Sequence, residues 1–177
     1  MGLANISDRL LCFRMFATAA VIFSLLLIIT GVAKVVSPHD VERALVGLGL
    51  PRILYAGAVI GLVEIVVGVA AFFSPVALLA QGLAYLVFAV WVFLAMRMDV
   101  PLASCGCLGR NDTPPSWGHF ALNLMAAGVS AAAAGSVPVP WTFDLEGVTR
   151  IVIVAVGLFL AYVVLTDGAR LAGVRAR

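Results

Sequence analysis

The sequence predicts an all-α fold: a helical integral membrane bundle of four to five transmembrane helices with a short interfacial helix. Three observations predict it. The 177-residue chain is 63% apolar and only 11% charged, against about 45–50% and about 25% in soluble domains. It contains five apolar runs long enough to cross a hydrocarbon core of about 30 Å, which takes about 20 helical residues. Its basic residues gather at the ends of those runs, where they meet lipid headgroups. The solvent for most of this chain is therefore lipid.

The first run covers 16–36. A secretory signal has an apolar stretch of about 7–15 residues, and this one is longer, so it reads as a retained membrane helix. The second and third runs, 53–73 and 76–96, are separated only by Ser74-Pro75, a tight hairpin. The fourth, 117–134, is rich in alanine and interrupted by His119 and Asn123, which makes it the weakest span. The fifth covers 148–165. Each is expected to be helical, because lipid offers no partner for backbone N–H and C=O groups.

Between the first two runs, Ser37 can cap a helix, Pro38 suits its first position and Asp40 can complete a capping box. Val41, Ala44, Leu45 and Leu48 fall at i, i+3, i+4 and i+7, one apolar stripe, and Gly47, Gly49 and Pro51 end it. This predicts a short helix lying on the membrane surface. Two other connections are rich in turn residues: 97–116, with Pro101, Gly106, Gly109, Pro114 and Pro115, and 135–147, with Pro138 and Pro140. Trp117 and Trp141 stand where interfacial aromatic anchors are expected.

Net charge excludes one class of partner. At +2, with no basic stripe interleaved with aromatics, the chain lacks the footprint of a nucleic-acid binder. The expected partner is the bilayer.

The segment Ser104-Cys105-Gly106-Cys107-Leu108-Gly109 carries the most chemistry. Two cysteines one glycine apart approach disulfide geometry only through a tight turn, which Gly106 permits. So small a ring is strained and easily reduced, and it closes too little chain to act as a staple. Redox exchange, thiolate metal binding and small residues in a turn are the three readings. A closed zinc site wants four ligands, and His119 is the only other soft ligand near, so no metal is assigned. His119 can take a proton from a thiol or stabilise a thiolate, or it can join Asn123 in hydrogen bonds between helices. Cys12 is given no role.

Glu64 is the electrostatic oddity, an ionisable group mid-run where insertion costs about 2.5–3.5 kcal/mol. Gly57, Gly61, Glu64, Gly68 and Ala71 are spaced four, three, four and three apart, so they share a face, and small residues mark a face packed on another helix. Lys34 is the expected partner, although its depth differs from that of Glu64, so a bent first helix or a bridging water is expected to close the gap. Gln81 and Tyr85, at i and i+4, are expected to line the same interior. No cofactor is assigned. A quinone at Glu64 or near Gln81 and Tyr85 stays open.

Two stretches carry a family resemblance. Thr30-Gly31-Val32-Ala33-Lys34 followed by Ser37-Pro38, then Leu62-Val63-Glu64-Ile65-Val66-Val67-Gly68, resembles the glycine–lysine end of helix one and the glutamate–glycine pattern of helix two in the MauE/DoxX family of redox-associated membrane proteins. Cys105-Gly106-Cys107-Leu108-Gly109, followed by Ser116-Trp117 and Asn123, resembles the CGC-[F/L]-G loop of the MauE branch. The resemblance covers residues 14–135 of a single membrane domain, 1–177, and leaves 136–177 as an extra helix with a basic tail of Arg170, Arg175 and Arg177.

The resemblance implies a DoxX-like bundle that acts as a thiol-disulfide redox helper, a component of an oxidoreductase system. It implies a thioredoxin-like partner and an exported client that acquires disulfides, the methylamine dehydrogenase light chain in the namesake pathway. By the same resemblance Cys105 and Cys107 are the exchange thiols, and Lys34 and Glu64 the shared intramembrane charges. The alternatives are a metal- or solute-handling membrane protein using the same thiolates and a structural subunit that docks a partner enzyme.

Exchange with exported clients places the cysteine loop outside a cytoplasmic membrane, which five spans with an inside N-terminus achieve. Counting charges opposes this. The inside would hold Arg9, Arg14 and Arg150, and the outside Lys34, Arg43, Arg52, Arg97, Arg110, Arg170, Arg175 and Arg177, the reverse of the positive-inside rule. The outside loop is still expected, because Arg9 and Arg14 precede a first helix that often dominates orientation. Lys34 and Arg43 can also be matched by Glu64, Asp40 or Glu42.

Overall fold

The computed structural model describes residues 3–47, 49–97, 115–135 and 145–171, with side chains from residue 15 onward and, in the last segment, for 147–166. Among the described residues there are six helices and no strand: α1 Leu3–Val36, α2 His39–Gly47, α3 Ala56–Ala70, α4 Pro75–Arg97, α5 Trp117–Ala134 and α6 Leu145–Leu171. Each expected run is a helix, and α5 has the bounds expected of it. The first helix begins much earlier than the apolar run, at Leu3. The helix foreseen between the first two runs is α2.

Among the described residues, three stretches are long and apolar enough to cross a membrane alone: Met15–Val36, Pro75–Arg97 and Gly147–Thr166. The remaining two expected spans are less self-sufficient. At 15 residues, α3 is about 22 Å long at 1.5 Å per residue. In α5, His119 and Asn123 dilute the alanines. Both lean on longer helices, α3 against α1 and α5 against α4.

The α1–α3 contact is made by glycine. A Cβ on Gly61 would lie 2.5 Å from the Gly31 carbonyl oxygen, and one on Gly31 would lie 2.6 Å from that of Gly61. Further along, a Cβ on Gly68 would meet Ile28 Cγ1 at 2.8 Å and the Ser24 carbonyl at 2.9 Å. Lipid tails are as apolar as leucine, so association in the membrane depends on such close backbone approach. Gly57, Gly61, Glu64 and Gly68 are all buried, as is Ala71 just beyond the helix. From Gly61 to Gly68 the stripe faces α1, while Gly57 packs on Pro38 just beyond it.

The core proper joins Phe23, Leu26 and Leu27 of α1 to Tyr85 of α4, Leu122 and Ala126 of α5, and Ala161 and Leu165 of α6. Polar groups stitch the same helices together. Ser24 donates to Gln81 Oε1 at 2.8 Å, Gln81 Nε2 donates to Ser130 Oγ at 3.0 Å, and Tyr85 donates to the Phe23 carbonyl at 2.6 Å. Gln81 and Tyr85 do line the interior, where their hydrogen-bonding groups meet other protein groups.

On the lipid side, Leu83, Val87, Val90, Val152, Phe159 and Leu160 are exposed, as greasy solvent allows. Trp117 is exposed at the start of α5, a position suited to an interfacial anchor; Trp141 lies outside the described residues.

Candidate functional site

Lys34 and Glu64 meet. Lys34 Nζ stands 2.8 Å from Glu64 Oε1 and 2.9 Å from Oε2, and both side chains are almost wholly buried. Thr30 Oγ1 donates to Oε2 at 3.0 Å, and the ring of Phe88 lies 5.1 Å beneath the ammonium. The expected mismatch in depth has a simpler resolution than a bent helix or a bridging water. Gly31 packs on Gly61 and Thr30 bonds Glu64, so Lys34 stands about one helical turn, 5.4 Å, beyond the level of Glu64. Its four-carbon stem spans that distance.

The corner around α2 was only half expected. Val41 and Ala44 are buried, as their stripe requires, but so are Asp40 and Glu42. Asp40 pairs with Arg43 rather than completing a capping box. Glu42 Oε1 accepts the backbone N–H of Tyr55 at 2.9 Å, while Oε2 lies 3.4 Å from Arg52 Nε and from His39 Nδ1. Tyr55 has a φ of 65°, unusual for a bulky residue, and directly precedes α3. Glu42 therefore fixes the turn that launches the helix bearing Glu64.

The Tyr55 amide, then His39 and Arg52, hold the Glu42 carboxyl below the ordinary glutamate range despite some opposing desolvation. A depressed folded pKa stabilises above the unfolded value and is lost as pH falls through the folded one. Glu42→Gln is thus expected to loosen this corner at neutral pH. The difference from the parent should vanish on acidification below the carboxylate range, read by amide exchange at Tyr55.

His119 is fully buried. Its Nε2 lies 3.0 Å from the Leu165 carbonyl of α6 and its Nδ1 3.1 Å from Ser116 Oγ. A carbonyl only accepts, so Nε2 carries a proton. Ser116 in turn accepts the His119 backbone N–H at the start of α5, a helix N-cap. His119 thus joins two helices, as one reading of it anticipated. Asn123 does not, because its Nδ2 donates to the His119 carbonyl one turn back in the same helix.

Both ring nitrogens of His119 are engaged by protein groups. Among the described residues no three His, Cys, Asp or Glu side chains converge on a metal position. Cys105 and Cys107 lie outside the described residues. They belong to the connection that leaves α4 at Arg97 and enters α5 at Trp117, and α4 and α5 pack along each other.

Sequence reasoning missed Ser24, Thr30 and Ser130 as interior partners. The available signal was that Ser24 and Thr30 lie within three turns of Lys34 on the first run.

No match was found among curated proteins or among solved structures. Residues 13–137 match the family model for "Methylamine utilisation protein MauE". That stretch takes in the glycine-packed α1–α3 pair, its buried Lys34 and Glu64, the cysteine connection and all of α5, and so this chain belongs to the MauE family.

Proposed function

We propose that this protein is a membrane thiol-disulfide helper that passes disulfides to exported proteins through Cys105 and Cys107. The observation that carries the reading is a pair of cysteines one glycine apart inside the stretch matched to a methylamine-utilisation family. A Cys-Gly-Cys ring closes too little chain to be a structural staple, and its strain favours reduction.

The exchange balances as follows. A client thiolate attacks one sulfur of the Cys105–Cys107 disulfide and forms a mixed disulfide, releasing the other sulfur as a thiolate. The client's second thiol then displaces the first sulfur. The client loses two electrons and two protons, and the Cys105/Cys107 pair gains them. A thioredoxin-like partner in its disulfide form accepts them in turn. In the namesake pathway the client is the light chain of methylamine dehydrogenase.

His119 serves this site by position. Its bonds to Ser116 and Leu165 pin the N-terminal end of α5, where the cysteine connection ends, against α6. Lys34 and Glu64 lock α1 to α3 in the same bundle. The loop faces outward from a cytoplasmic membrane in this reading. Three of the basic residues that oppose this orientation are matched by acids: Lys34 by Glu64, Arg43 by Asp40 and Arg52 by Glu42.

The test is capture of a thioredoxin-like partner that lacks its resolving cysteine. The parent chain is expected to give a mixed disulfide, and Cys105→Ser or Cys107→Ser to lose it. Unchanged capture by the double variant, with Cys12 still present, overturns the proposal.

A further inference from the structure

Between α2 and α3 the chain displays apolar side chains that the protein does not cover. Leu50, Ile53, Leu54 and Tyr55 are exposed, Tyr55 at 69%, and so is Val46 near the end of α2. Neighbouring exposed apolar side chains mark a contact with protein or membrane.

Level and direction both point to the membrane. A Cβ on Gly57, in the first turn of α3, would lie 2.4 Å from the Pro38 carbonyl oxygen. The start of α3 is therefore level with Pro38, just past the crossing stretch Met15–Val36. Tyr55, Val59, Leu62, Val66, Val69 and Phe73 are all exposed. They stand four, three, four, three and four residues apart, one line along α3 and its flanking turns. Tyr55 heads that lipid-facing line.

Tyr55 also carries a cost that the core does not explain. Its φ of 65° is strained for a bulky residue, yet the residue gains little protein contact in return. Glu42 holds it there, accepting the Tyr55 N–H at 2.9 Å. At the edge of lipid, non-helical backbone needs acceptors supplied by protein. The N–H groups of Leu50 and Ala56 have them too, in the Leu45 and Ile53 carbonyls, and Pro51 has no N–H to satisfy. Arg52 turns back to Glu42 at 3.4 Å, which matches its charge beside the apolar side chains.

We infer that the 50–55 connection binds the lipid leaflet, lying in the boundary between headgroups and acyl chains. Leu50, Ile53 and Leu54 enter the leaflet, and Tyr55 stands at headgroup level, where tyrosine is enriched. The occupant is lipid because the patch continues the lipid-facing line of α3. On α2 itself, Val41 and Ala44 are buried against the protein, so the apolar contact on this face passes to the connection that follows.

Depth in bilayer discs tests this. The contact needs no thiol, so a nitroxide is attached at Leu54→Cys in the full-length chain with Cys12→Ser, Cys105→Ser and Cys107→Ser. Collision with oxygen, which concentrates in lipid, is compared with collision with a water-soluble nickel chelate. Labels at Val59→Cys and at the exposed His39→Cys mark the acyl and aqueous extremes. The oxygen-to-nickel ratio at Leu54 is expected several-fold above that at His39 and below that at Val59. It should rise as the acyl chains are lengthened, since the boundary then moves outward. In the unaltered chain, a lipid with a photoreactive group beside its glycerol should tag residues 50–55.

A Leu54 ratio equal to that of His39 puts the connection in water and overturns the inference. Shielding from both reagents overturns it too, because protein then covers the patch. So does a ratio indifferent to acyl length, or photolabelling confined to the helices. The photolabel needs no substitution, so it decides the matter even if the nitroxide variants fail to fold.

Discussion

Glu64→Ala is expected to destabilise the bundle by about 3–5 kcal/mol, the usual cost of breaking a buried ion pair from one side. The reason lies in what remains. Lys34 would keep its burial and its Phe88 ring but lose both carboxylate contacts, leaving a charge among apolar side chains. In detergent this corresponds to a fall in Tm on the order of 10 °C for a chain of this size. Lys34→Met combined with Glu64→Gln removes both charges and is expected to recover at least half of the loss, since a neutral pair needs no counter-ion. A single variant as stable as the parent would show that the pair contributes nothing to the α1–α3 contact.

The second large effect separates chemistry from folding. Changing both Cys105 and Cys107 to serine is expected to reduce client disulfide formation to the level of cells lacking the protein, while shifting stability by no more than about 0.5 kcal/mol, the range of surface changes. A ring of so few residues removes little entropy from the unfolded chain. Client thiols trapped by alkylation measure the first quantity and a melting curve the second. Parallel loss of stability and activity would make the pair a structural element. The two predictions thus point in opposite directions: on the proposed function, loss of Glu64 costs stability and loss of the cysteines costs only activity.

Much of the scaffold was legible in residue order. Apolar runs must be helices in lipid, and the four-three spacing of Gly57, Gly61, Glu64 and Gly68 marked the face that α3 presents to α1. Lys34 could be picked as partner because so few cations lie near a helix interior. The α2 corner was less legible. Asp40 and Glu42 looked like groups at a solvated helix start, and nothing local shows that Glu42 reaches Tyr55, thirteen residues on. The polar stitch Ser24–Gln81–Ser130 spans three helices, so its partners become visible only once those helices are packed. His119 combined two readings that periodicity could not separate, because its value depends on a carbonyl of α6, 46 residues away.

The central claim concerns two sulfur atoms, and a thiol reagent that cannot cross membranes tests it in intact cells. In a Cys12→Ser background, the reagent should leave Cys105 and Cys107 unmodified at first and modify both once an external reductant has been added. Modification only after the membrane has been opened, with or without reductant, would put the pair on the cytoplasmic face and contradict the account.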